Sequence, residues 1–368
     1  MTTTNVLLKV TGRTAPVRMP ITLKRYITQF EMSEKLCNFA DHHLLEEIIN
    51  DMDSDSRHLA DKAFFEEISI ELHAQKIVMK LQKSRYPKVV MVVEYSEDPE
   101  GCLVKKHIQK DPIYHVLDNL PRKFHLITDQ SERLVQGESV LDLVILDLKF
   151  FLANPNFTIG TLKIENNIEA VYFKTLFTKI KNILEPLTFQ VSLKRLMIGP
   201  SIDKEDFMCI FPFLKPGILE VICVRGCMED WSAIREIDQW KMAKEVVTRS
   251  IRLPVENYLH FRKATFYHDD FTLEHLKVVI ESALRCPHDV QFHFIISCSR
   301  LPNPTITEYL QQFPSLCPND RGCENVHHIH IPNRDGYVQV NYQKMSPSFP
   351  QNSICVQTLT KEFKLVAI

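Results

Sequence analysis

The chain has 368 residues, 45% of them hydrophobic and 24% charged, a balance that excludes a wholly disordered polymer and supports two or more packed units. Its net charge of −2 excludes a global basic field that would recruit nucleic acid or an anionic membrane. Only 9 glycines stand against 20 prolines, which argues for stiff loops and against glycine-rich phosphate cradles.

In chain order, the polar start "MTTTNVLLKVTGR" carries neither a long apolar stretch nor a small-residue cleavage site, and no run approaches the 18 apolar residues of a membrane span. Residues 1–18 therefore read as a tail of an unsecreted protein. From 19 to 55, Leu23, Ile27, Phe30, Leu36, Phe39, Leu44, Leu45, Ile48 and Ile49 recur near helical spacing, and Pro20 and Ser33 suit a first helical turn and a cap. Two or three short helices are expected there. The period then drops to 2 in "FEEISIELH" and "KIVMKLQ", and "KVVMVVEYS" is a continuous apolar run fit for a more buried strand; together they predict a small antiparallel meander within 64–110.

From 111 to 368 helices and strands alternate. "SERLVQGESVLDLVILDLKFFLA" reads as one long amphipathic helix before the strand "IGTLKIEN", and further helix–strand pairs end in "SLKRLMIG", "LEVICVRG", "VVTRSIRL", "RKATFYH" and "VQFHFIIS". Late strands follow at "VHHIHI", "GYVQVNYQ" and "SICVQTL". The openings at Leu162, Leu193 and Leu219 are spaced 31 and 26 residues apart, near the period of leucine-rich-repeat units but without their asparagine ladder. The expected fold class is thus mixed α+β and α/β: short N-terminal helices, a small β-meander, then irregular LRR-like βα units.

Chemical signatures are few. No G-x-S-x-G, H-E-x-x-H, G-x-x-x-x-G-K-[ST] or G-x-G-x-x-G occurs, so no catalytic residue is assigned and the chain is not expected to be an enzyme. Cys317, Cys323, His327, His328 and His330 lie close together in "CPNDRGCENVHHIH", yet the cysteines are six apart and the histidines fall on both faces of a strand, whereas zinc needs four convergent ligands. No metal and no cofactor are expected. Cys223 and Cys227 are four apart, unlike a redox C-x-x-C pair. The ten cysteines sit in apolar segments such as "FMCIF" and "EVICV" and read as reduced thiols of an intracellular protein, cytoplasmic or nuclear.

In "HDDF", Asp269 and Asp270 read as capping carboxylates for a helix starting near Thr272. The basic "KLQKSRYPK" from Lys80 reads as a charged turn rather than a nucleic-acid patch. Trp231, Ile234, Ile237 or Asp238, Trp240 and Ala243 recur near helical spacing, which predicts one helix whose two indoles lie on or beside one face and anchor it to the strands beneath.

The order of these features resembles the FTH domain, which accompanies F-box motifs in a large nematode-expanded family, the F-box A type. "SLKRLMI", "PFLKPGILEVI", "QWKMAK", the pair His260 and Phe261, and "TLEHL" carry the resemblance, and "EEISIELHAQKIVMKL" with "YSEDPEGCLV" resembles the segment that joins the two modules. The resemblance runs from about Phe64 to the C-terminus. Met19, Pro20, Ile27, seven residues after the proline, and Leu36 are similar to an F-box, while "NFADHHLLEEII" replaces its usual later part, so that the F-box is divergent. By this resemblance the chain is a substrate receptor of an SCF-type cullin-RING ubiquitin ligase. Met19, Pro20, Ile27, Phe30 and Leu36 would meet a Skp-type adaptor, and the FTH domain would hold an unknown target protein, with no nucleic acid and no membrane involved. The alternative is a scaffold outside the ligase with a degenerate F-box.

Overall fold

The structure is a computed structural model that describes residues 7–10, 13–16, 64–83, 89–110, 126–166, 172–226, 231–249, 251, 253–287, 290–298, 304–313, 326–331, 336–343 and 352–360. The helices expected at 19–55 lie outside the described residues. The chain divides into two compact units, Met1–Gly160 and Thr161–Ile368.

In the first unit, strands β1 (Leu7–Val10) and β2 (Arg13–Pro16) form an antiparallel hairpin. Strands β3 (Phe64–Leu72), β4 (Lys76–Lys83), β5 (Val89–Asp98), β6 (Gly101–Lys110) and β7 (Leu126–Gln136) pair antiparallel, each with the next. The alternation seen in the sequence sets the register. Ile68, Ile70 and Leu72 face Leu81, Met79 and Ile77 across the β3–β4 ladder, and all six are buried; a slip of one residue would turn the whole row to water.

Helix α1 (Val140–Leu152) packs on β4 and β5 through Val144, Leu148 and Phe151, and the Tyr95 hydroxyl donates to Asp147 on that helix. Burial first, and then the Asp147 carboxylate, push the Tyr95 hydroxyl well above its ordinary pKa. The single long helix expected from Ser131 is not present. Residues up to Gln136 continue the sheet, Gly137 turns the chain at φ +74, and the Ser139 hydroxyl accepts from the Asp142 amide at 3.1 Å to start the helix there.

The second unit contains β8 (Thr158–Asn166) from Thr161 on, β9 (Ser192–Ile202), β10 (Val221–Gly226), β11 (Glu245–Arg249), β12 (Lys263–Tyr267), β13 (His293–Cys298), β14 (Val326–His330), β15 (Gly336–Gln343) and β16 (Asn352–Thr360), in the spatial order β8-β9-β10-β11-β12-β13-β16-β15-β14. Strands β9 to β13 run parallel, and β13, β16, β15 and β14 pair antiparallel. The connecting helices are α2 (Tyr172–Leu184), α3 (Lys204–Met208), α4 (Asp238–Met242), α5 (Leu273–Arg285) and α6 (Pro304–Leu310), with single 3₁₀ turns at Phe211–Phe213, Ser232–Glu236 and Val255–Tyr258.

The expected fold class is corrected here. In the second unit, strands β8 to β16 form one mixed sheet, in place of irregular LRR-like βα units. The repeat reading failed for a physical reason. Several crossovers shrink to five-residue helices and 3₁₀ turns, so there is no recurring βα unit to stack, and β16 bonds antiparallel onto β13 where a repeat array would continue in parallel. Backbone hydrogen bonding, not stacking of repeats, unites the strands.

Candidate functional site: the open face of the parallel strands

Alternate residues of the parallel strands are buried. Leu196 and Ile198 on β9, Ile222 and Val224 on β10, Val246 on β11, Ala264 and Phe266 on β12, and Phe294 and Ile296 on β13 are each at most 2% exposed. Their neighbours in sequence point the other way and stand half-exposed or exposed. We refer to this second side as the open face.

Register orders the open face into rows. One row runs Arg195, Val221, Glu245, Lys263, His293, and continues on the antiparallel strands through Gln357, Gln339 and His328. The next runs Met197, Cys223, Val247, Thr265, Ile295 and Cys355, an apolar strip between two polar ones. Beyond it Arg225 on β10 and Arg249 on β11 stand side by side. Carboxylates on this face are neutralised locally: Lys263 holds Glu245 at 2.9 Å and Lys163 holds Glu165 at 3.0 Å.

The far end of the first row is a hydrogen-bonded ladder. Gln357 Nε2 donates to Gln339 Oε1 at 2.5 Å, which leaves the Gln339 amide nitrogen, 3.2 Å from His328 Nε2, to donate to the ring. His328 then carries its proton on Nδ1, which has no partner, although the residue is only 8% exposed. Burial holds His328 and His327 neutral at lower pH than an ordinary histidine. Cys355 Sγ lies 3.5 Å from His293 Nε2, but burial raises the thiol and lowers the imidazole, the reverse of what an activated thiolate requires.

The indoles are pegs of the covered face. Trp240 is 1% exposed, meets Phe261 edge to face at 5.0 Å, and its Nε1 donates to the Asn257 carbonyl at 3.3 Å. His260 Nε2 donates back to the Trp240 carbonyl at 3.0 Å. Beside it, Gln239 is buried and its amide donates to the Pro212 and Leu214 carbonyls at 2.9 and 2.6 Å, which ties α4 to the turn before β10. The single helix expected to carry both tryptophans is instead broken: Ile237 is extended between the 3₁₀ turn and α4, and Trp231 packs separately on Phe207 at 5.2 Å.

Other sequence candidates fall as follows. Met19, Pro20, Ile27, Phe30 and Leu36 lie outside the described residues, as do Cys227, Cys317 and Cys323. His327 and His328 face opposite sides of β14. Among the described residues no group of three or more His, Cys, Asp or Glu is placed to hold a metal ion. Asp269 accepts from the Tyr267 hydroxyl at 2.7 Å instead of capping α5; the cap is Thr272, whose hydroxyl accepts from the His275 amide while His275 Nδ1 accepts from the Thr272 amide. Lys80 is held by Glu71. Six cysteines among the described residues are free thiols, and burial pushes Cys298 up to about 12 and Cys102 up to about 11. No helix among the described residues is long and apolar enough to cross a membrane.

The arginine pair was not singled out in the sequence, although a signal existed: "VICVR" and "EVVTR" share one alternation, which puts both arginines on the same side as Cys223 and Val247.

Residues 174–313 match the family model of the FTH domain. The match runs from within α2 through α6 and takes in all of β9 to β13, less than half of the chain, including both tryptophan pegs and the parallel part of the open face. No curated protein and no solved structure matches the chain.

Proposed function

We propose that the chain is a substrate-recognition subunit of an SCF-type cullin-RING ubiquitin ligase, working inside the cell, in the cytoplasm or nucleus. In this reading the segment 19–55 is a divergent F-box that docks on a Skp-type adaptor through Met19, Pro20, Ile27, Phe30 and Leu36, and the FTH domain holds a target protein. The observation that carries the reading is the FTH match at residues 174–313, a domain compatible with the F-box-associated family. The receptor makes and breaks no bonds. Its mechanism is positional, because tethering the target raises the effective concentration of its lysines near a ubiquitin-charged enzyme.

A second reading, a binding scaffold outside the ligase, is favoured by "NFADHHLLEEII", whose charged residues stand where an F-box continues its apolar contact. Co-purification of the full chain with the adaptor separates the two. Stoichiometric capture that is lost on combining Ile27→Asp with Leu36→Asp supports the receptor; a folded wild type that captures no adaptor leaves the scaffold.

A further inference from the structure

Arg225 and Arg249 occupy directly paired positions of neighbouring parallel strands and both are exposed. Like charges placed opposite one another destabilise a sheet, and among the described residues neither arginine is in ion-pair contact with a carboxylate, whereas the lysines of the same face are paired. Among the described residues, then, the pair has a cost that no carboxylate offsets.

Its position is also built. A Cβ placed on Gly199 of β9 would lie 3.2 Å from Arg225 Cδ, so the stem of Arg225 lies over the bare glycine. Next to the pair runs the half-buried strip of Met197, Cys223 and Val247. Two uncompensated cations beside an apolar strip are complementary to a segment with acidic groups next to apolar side chains.

We propose that this part of the open face is a docking site for an extended, acidic segment of a partner protein, its carboxylates on Arg225 and Arg249 and its apolar side chains on the Met197–Cys223–Val247 strip. The proposal rests on reading the FTH domain as a protein-binding module, though not on the adaptor. A protein segment fits better than nucleic acid. Glu165 and Glu245 share the face, two adjacent arginines are few for a phosphate backbone, and the strip beside them is aliphatic and sulfur-bearing where single-stranded nucleic acid is met by aromatic rings.

The test is selection of phage-displayed random peptides on the full-length chain, followed by anisotropy titration of the selected peptides. The expected result is enrichment of Asp and Glu next to apolar residues, binding that weakens with added salt, and a loss on the order of tenfold or more when Arg225→Glu and Arg249→Glu are combined. Gly199→Ala, which keeps both charges but crowds the Arg225 stem, weakens binding in the same direction. Selection of no peptide, selection without acidic enrichment, or affinity unchanged in the folded double variant overturns the proposal. So does salt-sensitive binding of polyuridylate that depends on the two arginines while no acidic peptide is selected. Failure to capture the adaptor leaves these results intact, so the two readings fail separately.

Discussion

The two faces of strands β9 to β13 are made from alternate residues of the same five segments, yet they follow opposite rules. The covered face is aliphatic and aromatic, and several of its polar groups are bonded: Gln239 to two carbonyls, Trp240 to Asn257, Thr248 to the Tyr258 hydroxyl at 3.0 Å, while the buried Trp231 Nε1 has no partner among the described residues. The open face carries an apolar strip bordered by charge, including an arginine pair with no ion-pair partner among the described residues. Stability is concentrated on one side, which leaves the other free to be shaped by what it binds.

The sharpest way to break this comparison is at the peg. Trp240→Ala removes a nearly inaccessible indole that meets Tyr258 and Phe261, and is expected to cost about 3–5 kcal/mol; denaturant titration checks it, and an unchanged midpoint would reject the peg assignment. Adjacent residues of β9 then give an internal control. Leu196→Ala on the covered face should cost about 2–5 kcal/mol, while Met197→Ala on the open face should cost under about 1 kcal/mol, since its side chain is half-exposed already. Gln239→Leu keeps the volume and removes the donor for two carbonyls, at an expected cost of about 1–3 kcal/mol.

A smaller, graded effect is expected with pH. His260, His268, His293, His327 and His328 all have pKa values lowered, chiefly by burial. Each folded-state pKa lies below that of the unfolded chain, so the unfolded state binds more protons and stability declines as pH falls below about 6.5. Asp206 acts in the opposite sense. Burial first, and then Asp203, push it up to about 6, so between its unfolded and folded values it favours folding as pH falls, and it blunts the decline without reversing five histidines. Thermal unfolding followed from pH 7 downward should show a falling midpoint before the ordinary carboxylate range is reached; a flat or rising profile would contradict the burial of these rings.

Much of the local structure was legible in the sequence. Period-2 alternation located β3 and β4, a continuous apolar run located β5, and the strands "LKRLMI", "EVICV" and "KATFY" sit where their apolar pattern put them. Sheet-wide pairing was not legible, because which edge "SICVQTL" bonds to depends on partners far away in the chain, and β16 joins β13 by a contact that no local pattern encodes. The broken helix around Trp240 shows a second limit. Steps of three and four survive a 3₁₀ turn and an extended Ile237, so the apolar spacing imitated one continuous helix. For the candidate site the lesson is narrower. Cysteines, histidines and carboxylates are the groups that sequence motifs pick out, whereas the exposed charge pair lies in two arginines at the ends of otherwise ordinary strands, and only register shows that they are neighbours.

The most direct test of the division between faces is thermal unfolding of the Arg225→Gln, Arg249→Gln double variant beside the wild type. The account predicts a melting temperature unchanged or slightly higher, because a like-charged pair with no partner is removed. A fall comparable to that of Leu196→Ala would mean that the two arginines hold the fold together, and the open face would lose its standing as a surface kept for binding.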